Sequence, residues 1–357
     1  MPTAPSFWTT LATPIIGLSP MDGVSDHPFR YIQKKYGRPA VLYTEFTSVE
    51  GVCHGAKQLL KDFSYDETQR PIIGQIYGTT PEYFRQTAIV LCQLGFDGID
   101  INMGCPAKNV AHSGAGAALI KTPALAQEII KATKHGVEQW QNGATAADCP
   151  DIVASIVTEV ETRQSQLPEI YQQVRQIPVS VKTRVGFDQP VIAEWIPTLL
   201  EMEPAAIALH GRTLKQQYGG LANWELIGQA KELARSTNTK LLGNGDIHSI
   251  TEAQEKISTY GLDGVLIGRA TMGNPYLYYS ESELPTAPSI FEIALEHSEL
   301  FEKIYADEEK YSFLPMRKHL GWYVKNIPDA SQIRIELFKA STSQEVKIIL
   351  QAHSLIG

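Results

Sequence analysis

No stretch of this chain stays apolar for the ~20 residues that a membrane-spanning helix needs. The first residues, Met1 to Thr13, have neither the basic start nor the apolar middle of a secretory leader. Both absences lead us to expect a cytoplasmic protein. Cysteine is scarce. Cys53, Cys92, Cys105 and Cys149 are the four present, none in CxxC spacing, so neither a zinc site nor a disulfide framework is indicated. Positive charge is in deficit too: 31 Lys and Arg face 39 Asp and Glu, a net of −8. That balance argues against a general nucleic-acid binder. The deficit is uneven, however. Residues 281–309 hold nine acids and one Lys, whereas residues 310–357 hold seven Lys or Arg and three acids. A basic surface is therefore still available near the C-terminus. No internal repeat or low-complexity tract stands out, and nothing calls for an obligatory protein partner.

What is present is a globular chain of 357 residues, 43% hydrophobic and 20% charged. It is too long for one ordinary core but right for a barrel of about 250 residues with a smaller appended domain. Eight short apolar runs end at polar or glycine-rich junctions: Ile15–Met21, Val41–Phe46, Pro71–Tyr77, Gly98–Met103, Val179–Val185, Ala206–His210, Lys240–Asn244 and Gly264–Gly268. Helical patterns lie between most of them. Pro81–Leu94 opens on a proline, and Pro123 opens another helix with Thr122 as its cap. Strand starts recur mostly every 24 to 34 residues, a period that implies parallel strands, and eight of them imply a closed (β/α)8 TIM barrel. One interval, 81 residues from Gly98 to Val179, is too long, and residues 142–174 read as an insertion with Ile152, Ile156 and Val160 at helical spacing. Residues 282–289 contain two prolines and read as a linker. From 290 to 357 every apolar spacing is helical, which predicts a C-terminal all-helical domain of about four helices following a barrel domain of residues 1–280.

In such a barrel the chemistry sits at the carboxyl ends of the strands. The first strand here ends in Pro20-Met21-Asp22, the third carries Gln75, and the fourth gives Asn102 and Cys105. The fifth gives Lys182 and Arg184, the sixth His210 and Arg212, the seventh Asn244-Gly245-Asp246 and the eighth Gly268-Arg269. Burying so many polar groups separately would be costly, so their shared position implies a polar, planar, charged ligand. The glycine-rich ends of the last two strands suit a phosphate, with Arg269 to pair with it. Gln75, Asn102 and Lys182 suit the carbonyls and ring nitrogens of a flat heterocycle. Together these fit flavin mononucleotide (FMN), although phosphosugar barrels share the phosphate site. Cys105 lies on a stiff Gly-Cys-Pro turn that aims it outward, unlike Cys53, Cys92 and Cys149, which read as structural or surface thiols. Asp246 can cap the helix that follows it, and His210 can be a satisfied core histidine. Trp322, Tyr323 and Phe313 read as helix core rather than a base-stacking platform.

The ordered motifs Ser19-Pro20-Met21-Asp22-Gly23, Gly74-Gln75, Asn102-Met103-Gly104-Cys105-Pro106, Gly114-Ala115-Gly116, Val181-Lys182-Thr183-Arg184-Val185-Gly186, His210-Gly211-Arg212-Thr213, Asn244-Gly245-Asp246 and Gly268-Arg269 resemble those of the tRNA-dihydrouridine synthases. The resemblance runs from about Ile15 to Asn274. Ser-Pro-Met-Asp and the long 142–174 segment depart from the commoner family pattern. The resemblance implies non-covalent FMN, NADPH as hydride source, and tRNA as substrate, with hydride going to carbon 6 of a uracil. It implies that Cys105 protonates carbon 5. It assigns the cofactor to Pro20, Met21, Asp22, Gln75, Asn102, Lys182, His210, Asn244, Gly245, Asp246, Gly268 and Arg269. Arg184 and Arg212 are expected to face the tRNA from the mouth, and Arg317 and Lys318 to reach its phosphates. Three other functions remain open at this point: a flavin barrel acting on a free pyrimidine, a flavin-free RNA binder on a decayed barrel, and an aldolase-type barrel with Lys182 as Schiff base.

Overall fold

A computed structural model of the chain describes residues 6–217, 219–280, 288–308 and 311–357. The apolar runs form eight strands: β1 Ile15–Leu18, β2 Leu42–Ser48, β3 Ile72–Tyr77, β4 Gly98–Met103, β5 Val179–Arg184, β6 Ala206–His210, β7 Lys240–Asn244 and β8 Gly264–Ile267. All pair in parallel, in the order β1-β8-β7-β6-β5-β4-β3-β2. The two ends meet: Ala40 N donates to Ile16 O at 2.8 Å and Leu18 N to Val41 O at 3.0 Å, closing the barrel.

The inward-facing residues explain where the site falls. At the amino end they are apolar, and Ile15, Tyr43, Ile73, Ala206, Ala208 and Leu242 pack there with Trp8. At the carboxyl end they turn polar. Register places Lys182 beside Asn102, and His210 between Arg184 and Asn244. A period of two carries each strand from the apolar plug to the polar rim.

The outer helices are α1 His27–Gly37, α2 Pro81–Gln93, α3 Pro123–Gln141, α4 Ala154–Gln166, α5 Ile192–Leu200, α6 Trp224–Ala234 and α7 Ile250–Tyr260. Asp26 caps α1 by accepting from Phe29 N at 2.9 Å. Pro123 does open α3, but Thr122 makes no side-chain cap, contrary to expectation. The insertion packs α4 against α2. Ile156 and Val160 are fully buried, Gln93 Nε2 donates to Gln164 Oε1 at 3.0 Å, and Gln86 Nε2 donates to Asp151 Oδ2 at 2.6 Å. This second layer explains why α2 buries polar residues on the side that faces solvent in an ordinary barrel helix.

Four helices follow: α8 Ile290–Tyr305, α9 Leu314–Tyr323, α10 Ala330–Leu337 and α11 Ser343–Ala352. Phe291, Phe301, Met316, Leu320, Leu337 and Leu350 form their core, and Ile32 of α1 belongs to it. Phe313 and Tyr323 are buried in this core, as read from sequence, whereas Trp322 is half-buried and packs against the barrel core instead. Most of the expected linker lies outside the described residues.

Candidate active site

A cavity of about 1250 Å³ opens at the carboxyl end of the barrel. That exceeds the roughly 300–1,000 Å³ of a single small-ligand pocket. Pro20, Met21, Asp22, Asn102, Cys105, Lys182, Arg184, His210, Arg212, Asn244, Gly245, Asp246, Gly268 and Arg269 all line it. Gln75, Arg317 and Lys318 do not.

Cys105 sits just past β4, 8% exposed. Its loop is held by a chain of amides and carboxylates. Asn102 Oδ1 accepts from Gly104 N at 3.1 Å and from Cys105 N at 2.9 Å. Asn102 Nδ2 donates to Gln75 Oε1 at 3.0 Å, and Gln75 Nε2 donates to Asp100 Oδ2 at 2.7 Å. Asp100 also accepts from Ser180 Oγ at 2.7 Å. Gln75 is thus buried one layer behind the wall and acts on the thiol loop through Asn102. Burial pushes the Cys105 thiol up; the Ala107 N–H, 3.4 Å from Sγ, offsets that only in part. The group therefore stays a thiol at neutral pH.

Lys182 donates to Asn244 Oδ1 at 3.2 Å, while Asn244 Nδ2 is tied to Leu266 O at 2.8 Å. The second bond fixes which end of the amide faces the lysine. Burial, with Arg184 adding to it, lowers Lys182 to about 8. Burial also raises Asp100 to about 6, against the pull of Ser180 and Gln75. Burial takes His210 well below its ordinary value, and Arg184, Lys182, Arg212 and Arg269 add to the shift.

At the β7 and β8 ends, Asp246 bridges two guanidiniums, Arg212 at 2.5 Å and Arg269 at 2.9 Å. Burial alone would raise the Asp246 carboxyl, but the Ala222 N–H and both arginines hold it below the usual range. Arg184 and Arg212 line the cavity, and each also bonds within the protein. Arg212 donates to Gly220 O as well as to Asp246. Arg317 donates to the Ala340 and Lys339 carbonyls, just past the end of α10. Lys318 donates to Gly23 O, so the helical region grips the β1 rim through it.

Asp100, Ser180 and Phe46 were missed as site residues. Asp100 carried a legible signal, because it lies two residues before Asn102 on one strand and so shares its face. Phe46 follows a register irregularity in β2 that sequence does not announce.

A closed eight-stranded parallel barrel whose rim sets a thiol, a half-buried lysine and an arginine-flanked glycine turn around a large cavity has the layout of a barrel enzyme. The family model described as dihydrouridine synthase matches residues 17–141 and 134–356. The chain belongs to the dihydrouridine synthase family. It is 34% identical over 350 residues to the "Probable tRNA-dihydrouridine synthase" of Staphylococcus aureus (strain COL), covering 97% of this chain and 94% of that one. It is 32% identical over 350 residues to the "Probable tRNA-dihydrouridine synthase 2" of Bacillus subtilis (strain 168), covering 97% and 95%. Among solved structures, DHODH in complex with ferulenol from Eimeria tenella aligns with a TM-score of 0.40 and 13% identity, over 62% of this chain and 59% of that one. This last likeness is too distant to carry functional weight. Among the described residues no helix is long and apolar enough to cross a membrane, and no cluster of metal-ligating side chains occurs.

Proposed function

We propose that this chain is an FMN-dependent tRNA-dihydrouridine synthase that uses NADPH to reduce the carbon 5–carbon 6 double bond of uridines in tRNA, acting in the cytoplasm. The observation that carries the reading is the position of the Cys105 thiol on the rim of a cavity large enough for a flavin and a base together.

The residues fit FMN. Gly245 has φ of 127°, and a Cβ there would lie 2.6 Å from Ala222 Cβ, so the β7 turn offers bare backbone. Arg212 Nη1 is buried without a hydrogen-bond partner. Gly245, Asp246, Gly268, Arg269 and Arg212 would hold the phosphate end. Lys182, Asn102, Asn244, His210 and the Pro20-Met21-Asp22 turn would hold the ring. When bound, FMN supplies the hydride for carbon 6, replenished from NADPH.

The chain's own contribution is then proton delivery and charge control. Hydride addition leaves negative charge on carbon 5 and the adjoining carbonyl. The Cys105 thiol gives its proton to carbon 5, becomes a thiolate and is reprotonated from water. Lys182 offers a fixed positive charge close by. A uridine in folded tRNA must be drawn out of its stack to reach the cavity. The helices from residue 290 onward would hold the remainder of the tRNA by shape and phosphate contact, with Lys318 and Arg317 as candidates, since the one carbonyl bond of the Lys318 ammonium and the Nε and Nη2 bonds of Arg317 leave further donors on each.

Purified protein should be yellow and release one FMN per chain on denaturation. Colourless protein that takes up no added FMN would end this reading.

A further inference from the structure

Arg184 closes β5 and is 7% exposed. Its Nε donates to Gly104 O at 2.6 Å, and Nη1 donates to Thr213 O at 3.3 Å. Nη1 also lies 3.0 Å from Nδ1 of His210. Two consequences follow from these distances.

The first concerns the thiol. Gly104 O and Cys105 N belong to one peptide group. Asn102 Oδ1 takes the N–H end at 2.9 Å, and Arg184 takes the C=O end. The peptide before the thiol is therefore gripped at both polar atoms, from β4 on one side and β5 on the other. The second concerns the imidazole. A guanidinium has five N–H donors and no acceptor, so the His210 nitrogen facing it must accept. The ring proton is then on Nε2. That nitrogen faces the β7 turn: a Cβ built on Gly245 would be 3.4 Å from it.

We propose that Arg184 is a positioning residue. It sets the Gly104–Cys105 peptide for proton delivery and holds His210 as the neutral Nε2–H form, so His210 is a fixed hydrogen-bond donor at the β7 rim and carries no proton in the reaction. The part concerning delivery rests on the proposed function; the part concerning the tautomer does not. The charged groups around the imidazole agree with a neutral ring. Lys182 and Arg184 face it from β5, Arg212 from the end of β6 and Arg269 from the end of β8. The one carboxylate at the β7 end, Asp246, is already paired with Arg212 and Arg269.

The test begins with [15N]histidine-labelled full-length protein, with His210 assigned by the signal lost in His210→Gln. The expected spectrum has Nε2 protonated and Nδ1 bare, unchanged from about pH 8 to about pH 6, a range over which a free histidine would titrate. An Nδ1–H ring, or a doubly protonated one near pH 6, would overturn the assignment. No substrate is needed, so this failure is distinct from failure of the reaction assignment. In Arg184→Gln, alkylation of Cys105 by iodoacetamide should rise about tenfold, the factor that loss of one charge-assisted hydrogen bond carries. An unchanged rate would refute the positioning role. Arg184→Lys, a milder change, should lower kcat about tenfold with KM for tRNA nearly constant, the signature of an interaction that matters only in the transition state. A raised KM with kcat intact would instead make Arg184 a substrate contact.

Discussion

Lys182 Nζ lies 3.2 Å from Asn244 Oδ1, joining β5 to β7 across the floor of the cavity. The pair places a cation where barrel strands ordinarily keep apolar side chains. Such a charge is unfavourable in the free protein and useful only when a ligand shares it.

Lys182→Met should therefore stabilise the free protein while destroying the site. The sign follows from the pKa. Lys182 is lowered to about 8 from an ordinary 10.5. Below pH 8 both folded and unfolded chains bear the charge, so its burial cost is fully present. The cost fades as pH rises toward 10.5, because the unfolded chain alone keeps the proton. Urea unfolding should show a gain of about 2 kcal/mol at pH 7, discounted for solvent in the cavity, that shrinks at alkaline pH. A loss of stability at pH 7 would mean that the lysine is already compensated.

Asn102→Ala should loosen the thiol loop. The change removes the acceptor for Gly104 N and Cys105 N and strands Gln75 Oε1 inside the barrel. A buried acceptor without a partner costs about 1–3 kcal/mol. Equilibrium unfolding should record a loss of about 2 kcal/mol, and Cys105 should react faster with alkylating agents, as stated for Arg184→Gln. A neutral effect on both would show that the loop holds itself.

Asp246→Asn should strand Arg212, whose side chain is 3% exposed. Removing one partner of a buried pair costs about 3 kcal/mol. Asp246 is held below its ordinary value of 3.8, so its stabilising contribution is present above that pH and lost as pH falls through the lower folded value. The gap in Tm between wild type and Asp246→Asn should be full at neutral pH and close in strong acid. A gap that persists in acid would point to packing rather than charge.

The barrel was legible because strand period and helix period alternate along the chain. Three strands, β4, β6 and β7, have the boundaries expected from sequence. The largest differences fall at the rim. β1 stops at Leu18, where Ser19 and Pro20 turn away from the sheet, and β2 runs on to Ser48 through the irregular register after Tyr43. Sequence also placed most of the cavity wall, since the residue ending each barrel strand must face the mouth. It could not show which polar groups were already spoken for. Arg184 pairs with Gly104 from the neighbouring β4 end, Arg212 with Asp246 from the β7 end, and Arg317 with carbonyls 22 and 23 residues away. Each partner is fixed by the closure of the barrel or the packing of the helices. No local pattern encodes that pairing.

The most direct test of the account uses unmodified tRNA, NADPH and FMN-loaded protein, with dihydrouridine read by mass spectrometry. Wild-type protein should form dihydrouridine, and Cys105→Ala should bind FMN as before yet form almost none. Dihydrouridine formed at the wild-type rate by Cys105→Ala, or none formed by the wild type, would contradict the account.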